Sequence, residues 1–136
     1  MSNRLKQNLL LGTAVILFGI SIFLRVQYNS WASGDMTSFL IRWYNQLDDH
    51  GIFISLGRKF SNYTPPYLYL MALATLTSGI LSKVAAIKLI SIIFDACAAW
   101  IVFRIIRLRY PDGFMPYLAG SVYFSLPTIL INSSVW

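Results

Sequence analysis

The stretch from Val84 to Phe103 runs for twenty residues with only Lys88 and Asp95 charged. Wound as an α-helix it reaches about 30 Å, the thickness of a bilayer's hydrocarbon core. A chain of 136 residues that is 57% hydrophobic and 12% charged cannot cover so much apolar surface as a soluble globule of its size, and is too apolar to stay disordered. The sequence therefore predicts an all-α membrane protein.

Three further apolar stretches flank this one. Leu9 to Leu24 lies between Arg4 and Lys6 on one side and Arg25 on the other, and reads as a first crossing, with Arg25 snorkelling at its end. A signal peptide with small residues near Ala32 is the competing reading. Tyr67 to Leu81, entered through Pro65-Pro66, is short and interrupted by Thr75, Thr77, Ser78 and Gly79; it predicts a juxtamembrane helix over 66–81 that does not cross. Phe114 to Ile131 carries Pro116 and Pro127, which membrane helices tolerate where neighbours re-satisfy the freed carbonyls.

Charge selects among the topologies. Eleven Lys and Arg stand against five acids, all Asp, for a net charge of +6. If all four stretches crossed, Arg104, Arg107 and Arg109 would lie opposite Arg4 and Lys6, against the positive-inside rule. With three crossings the two basic groups share the cytoplasmic side. The expected order is a cytoplasmic start (1–8), a first span (9–24), an extracytoplasmic segment (25–83), a second span (84–103), a cytoplasmic loop (104–113), a third span (114–131) and an extracytoplasmic end (132–136). The basic excess thus reports orientation, and nucleic acid is not an expected partner. Cys97 is the lone cysteine, which excludes a disulfide framework.

Within 25–83, Met36, Phe39, Leu40, Trp43, Tyr44 and Leu47 recur at helical spacing and predict an amphipathic helix over 36–47 lying on the outer leaflet, with Gly51 as its C-cap. Asp35 opens that helix, as an N-cap or as a carboxylate usable as a general base. Lys88 and Asp95 share a helix face with Ser91. They are about 10.5 Å apart along the axis, too far for an easy ion pair, so each pairs with another helix or Lys88 binds an anion. Arg58, Lys59 and Tyr63, ahead of the proline pair, form either an interfacial belt or a rim for a sugar and a phosphate. Asp48-Asp49-His50 is a weak metal pattern, because three adjacent residues at a helix end seldom converge on one ion.

The order of these features is distinctive: a basic start and first span, Gly34-Asp35 opening a helix with Trp43-Tyr44, the entry Tyr63-Thr64-Pro65-Pro66-Tyr67-Leu68-Tyr69, Ile87-Lys88-Leu89 to Asp95, a basic loop, Leu126-Pro127, and Asn132-Ser133-Ser134-Val135-Trp136. It resembles the N-terminal part of integral-membrane glycosyltransferases of the GT-C superfamily, particularly the mannosyltransferase-like branch, over nearly the whole chain. The resemblance implies a bacterial inner-membrane protein that takes a sugar from a polyprenyl-phosphate donor on the extracytoplasmic side. It makes Asp35 the acidic residue of the first extracytoplasmic loop and sets the proline pair near the donor. Some relatives carry a basic residue before the prolines where this chain has Thr64, leaving phosphate contact to Arg58, Lys59 or Lys88. The resemblance makes no cofactor certain and leaves a divalent metal open. The family motif at the end normally continues through Gly-Gln to a second acid, so the chain is expected to be an N-terminal fragment, inactive alone. Its expected partners are the lipid-linked sugar donor, membrane lipids and a second polypeptide carrying the missing helices. The alternative is a small non-catalytic membrane protein or accessory subunit that binds partners through the Lys88/Ser91/Asp95 face.

Overall fold

The computed structural model describes residues 3–111 and 113–135; Trp136, the last residue of the family-like motif, lies outside them. Among the described residues the chain is helical, with an isolated bridge between Ser78 and Leu81 and no strand. The elements are α1 (Asn3–Gln27), a π-helical turn (Met36–Leu40), α2 (Ile41–His50), α3 (Ile52–Leu56), α4 (Pro65–Thr75), α5 (Lys83–Arg109), α6 (Met115–Phe124) and α7 (Pro127–Ser134).

Two helices are long and apolar enough to cross a membrane, Arg4–Gln27 and Lys83–Arg109. Only 17% and 11% of their most apolar windows are buried inside the protein, which is the reverse of what the core helix of a soluble domain shows. Val15, Ile16, Phe23 and Val26 on α1 and Trp100, Ile101, Ile105 and Leu108 on α5 all face outward. Both helices exceed the expected spans. Ser82 starts α5 by accepting the Ala85 N–H at 3.2 Å. The helix then continues through Arg104, Arg107 and Arg109 and stops at Tyr110, before Pro111. These arginines therefore project from the last turns of a helix, where cations suit the negative end of the dipole, rather than from a loop over 104–113.

The third expected span is a broken helix. α6 ends at Phe124, Leu126 adopts an extended conformation (φ −56°, ψ 131°), and α7 starts at Pro127. Proline has no N–H for the ladder and pushes its predecessor out of the helical region. α4 is also shorter than expected, at 11 residues and about 16 Å. It gives way to a turn in which Gly79 has φ +90°.

α6 lies against both long helices. Phe124 stacks on Phe18 of α1 (5.4 Å between centroids), and Tyr117 meets Phe103 of α5 edge-on at 5.2 Å. Gly120 allows the close approach to α5, since a Cβ there would stand 3.3 Å from the Ala99 carbonyl oxygen and 3.4 Å from Phe103 Cβ. α1 and α5 run antiparallel. Gln7 and Asn8 share a cavity with Arg107 at one end, and Lys88 bonds the chain just after α1 at the other.

The amphipathic helix is present and ends at Gly51 (φ +83°), but its apolar face is not open to lipid. Met36, Leu40, Trp43, Tyr44 and Leu47 are buried with Met71, Ala72 and Ala74 of α4 and Ala86, Ile87 and Ile90 of α5. Those neighbours are distant in sequence, so periodicity alone could not distinguish a lipid-facing stripe from this core. Phe39 leaves the pattern and is 49% exposed. The π turn adds about one residue per turn and so swings position 39 away from the line joining 36, 40, 43 and 47.

Candidate functional site

Asp35 is not the helix cap. Ser33 takes that role: its Oγ accepts the Met36 N–H at 3.1 Å and its carbonyl accepts the Thr37 N–H at 3.0 Å. Asp35 makes no side-chain capping bond. The signal was available in sequence, because Ser33 stands three residues before Met36, the spacing an N-cap uses.

Relieved of capping, the exposed Asp35 side chain lines a cleft of about 190 Å³ with Phe39, Leu40, Trp43, Asn62 and Tyr63. One wall comes from the π turn and α2. The other comes from the loop ahead of α4, where Ser61 Oγ accepts the Tyr63 N–H at 3.0 Å and Thr64 is held extended before the proline pair (ψ 145°). A run of aromatic rings joins the walls: Phe39 to Trp43 at 6.0 Å, Trp43 to Tyr63 at 4.8 Å, and Tyr63 to Tyr67 at 5.1 Å. Burial, and secondarily the neighbouring Tyr63, pushes the Tyr67 phenol up to about 12, so it stays a neutral hydrogen-bond donor at physiological pH. A carboxylate beside aromatic faces can accept a hydroxyl proton while the rings cover an apolar sugar face.

The fold thus brings Asp35 and Tyr63 together; Arg58, Lys59 and Lys88 are not in the cleft. Arg58 and Lys59 are exposed on the loop that leads to Asn62 and Tyr63. Lys88 is 2% exposed. Its ammonium donates to the carbonyls of Tyr28 (2.7 Å), Trp31 (2.6 Å) and Ser134. An ammonium has three N–H donors, so in this arrangement none is left for an anion.

Asp95 also finds its partner on another helix. Its Oδ2 accepts from Arg25 Nη2 at 3.1 Å, with the arginine side chain 3% exposed. The guanidinium lies 3.8 Å over the Phe124 ring, and it donates to Ser21 Oγ and, at 3.2 Å, to the Phe124 carbonyl. That carbonyl also accepts the Ser21 hydroxyl at 3.0 Å. The break after α6 is what frees it from a helical ladder. Arg25 is therefore an interior charge, not the snorkelling flank expected of it. The clue was Ser21, four residues earlier on the same face, together with an acid inside the α5 span.

The residues present do not fit a bound divalent cation. Asp35 is the only carboxylate lining the cleft among the described residues, and no group of three or more His, Cys, Asp or Glu converges among them, Asp48-Asp49-His50 included. Comparison with known protein families, curated proteins and solved structures finds no match, so the site stands on its own geometry.

Proposed function

We propose that this chain is the N-terminal part of a membrane glycosyltransferase that uses a polyprenyl-phosphate sugar, with Asp35 as the base or acceptor-orienting carboxylate. The observation that carries this is the meeting of Asp35 with Trp43, Asn62 and Tyr63 in one cleft, from segments that neither need each other for helix formation nor are close in sequence. The cleft, about 190 Å³, is below the roughly 300–1,000 Å³ of complete small-molecule sites. It suits one sugar ring against one wall, while transfer requires donor, acceptor and base together. Arg58 and Lys59 are exposed on the loop that leads to Asn62 and Tyr63, and such cations suit a lipid phosphate.

The topology proposed with it has three crossings: α1, α5 and the broken α6–α7 pair. The N-terminus is cytoplasmic and the membrane is a bacterial inner membrane. Antiparallel α1 and α5 put Arg4 and Lys6 at the same end as Arg104, Arg107 and Arg109, in line with the positive-inside rule, and the Asp35 cleft lies toward the other end. The competing reading, an accessory subunit docking through Lys88/Ser91/Asp95, has both its charges engaged by the chain's own groups.

The test is sugar transfer from a radiolabelled polyprenyl-phosphate donor in native membranes, with Asp35→Asn introduced at the chromosomal locus. Loss of roughly 10²–10⁴-fold at unchanged protein level is the expected outcome, the usual contribution of a general base. Undiminished transfer overturns the role of Asp35.

A further inference from the structure

Two cavities adjoin along the bundle, the first of them at the end opposite the Asp35 cleft. A polar pocket of about 410 Å³ is lined by Gln7, Asn8, Arg107, Gly113 and Phe114, among others. An apolar groove of about 600 Å³ runs between α1 and α5 over α6, past Ala14, Phe18, Ala96, Trp100 and Phe124. Leu11 and Tyr117 line both. Arg107 reaches the pocket from the last turn of α5, its guanidinium 5.8 Å over the Phe103 ring, and Phe103 itself lines the groove.

The charge of this end is unbalanced. Arg4, Lys6, Arg104, Arg107 and Arg109 gather here, and none forms an ion pair with a carboxylate among the described residues. One acid, Asp112, belongs to this segment of sequence and lies outside those residues. The N-terminus of α6, with its partial positive charge, opens into the same pocket wall. A cationic pocket at headgroup depth that leads into an apolar trough matches a molecule with an anionic head and a hydrocarbon tail, and basic pockets between membrane helices on the cytoplasmic side take such headgroups. A second helix laid in the groove would leave Arg107 with no carboxylate partner among the described residues.

We propose that these two cavities form one binding site for an anionic glycerophospholipid of the cytoplasmic leaflet, with its phosphate at Arg107 and an acyl chain in the α1–α5 groove. The site rests on the membrane orientation and is independent of the transferase reading.

Native mass spectrometry of the detergent-solubilised chain with equimolar phosphatidylglycerol and phosphatidylcholine tests it. Phosphatidylglycerol is retained preferentially, and Arg107→Gln lowers its retention about fivefold, the effect of one basic group near the headgroups. Arg109→Gln, a charge loss two residues away and outside the pocket, leaves the preference in place. Ala96→Phe fills the groove and lowers retention of both lipids. Equal retention of the two lipids by the unaltered chain, or equal losses in the Arg107 and Arg109 variants, overturns the site. A dimer that lipid displaces assigns the groove to a second copy and overturns it as well.

Discussion

The two ends of the helical bundle handle positive charge in opposite ways. At one end five Lys and Arg side chains stand at helix termini without a carboxylate partner among the described residues. Toward the other, Arg25 and Lys88 are 4% and 2% exposed and engage seven oxygen acceptors between them: Ser21 Oγ, Asp95 Oδ2 and the carbonyls of Ser21, Phe124, Tyr28, Trp31 and Ser134. The difference separates two uses of a cation in a chain with two helices long and apolar enough to cross a membrane. A cation at the surface acts on lipid and topology, and one that lines a headgroup pocket is worth about 1 kcal/mol there. A cation inside acts on assembly, where loss of a partner leaves an uncompensated buried charge.

Removing one partner inside the bundle is the strongest way to break this contrast. Asp95→Asn leaves Arg25 buried without its counter-ion and should cost about 3–5 kcal/mol, read as a lower SDS fraction at the unfolding midpoint in micelles. The double change Arg25→Met with Asp95→Leu should recover most of that loss, because an apolar pair needs no counter-charge. Lys88→Met is expected to cost less, about 1–3 kcal/mol, because it unpairs backbone carbonyls rather than a charge; free movement of the 28–31 segment by spin-label spectroscopy would accompany it. Arg104→Gln or Arg109→Gln should change stability by no more than about 0.5 kcal/mol. All three C-terminal α5 arginines changed together should instead yield molecules of mixed orientation, read by cysteine accessibility at position 107. A single orientation with Arg107→Cys labelled from outside would overturn the three-crossing topology.

Much of the architecture was legible in the sequence where a local property decided it. The apolar runs marked α1 and α5, the polar residues from Thr75 onward marked where α4 stops at 11 residues, and Gly51 marked the end of α2. What could not be read depended on which distant elements meet. Lys88 and Asp95 were correctly too far apart to pair with each other. That Asp95 meets Arg25, 70 residues away, follows from the antiparallel register of α1 and α5, which no spacing rule contains. The same holds for the stripe from Met36 to Leu47, whose lipid-like face is covered by α4 and α5. At the candidate site, Asp35 and Tyr63 were each singled out by local chemistry, but their shared cleft required the π turn, which turns Phe39 outward, and the Pro65-Pro66 entry, which fixes the opposite wall. Pro127 did carry the signal for the break in the last helix, since a proline that ends α6 also frees the Phe124 carbonyl.

That freed carbonyl gives the chain an order of construction. α1 leaves the ribosome with Arg25 in its last turn, yet two of the groups that accept from the guanidinium arrive 70 and 99 residues later, at Asp95 and Phe124. Until then the guanidinium has only Ser21, on its own helix, of the acceptors it finds in the folded chain. The set of acceptors around Arg25 is therefore complete only in a chain that includes the break after α6, so the last proline contributes to the setting of the first helix.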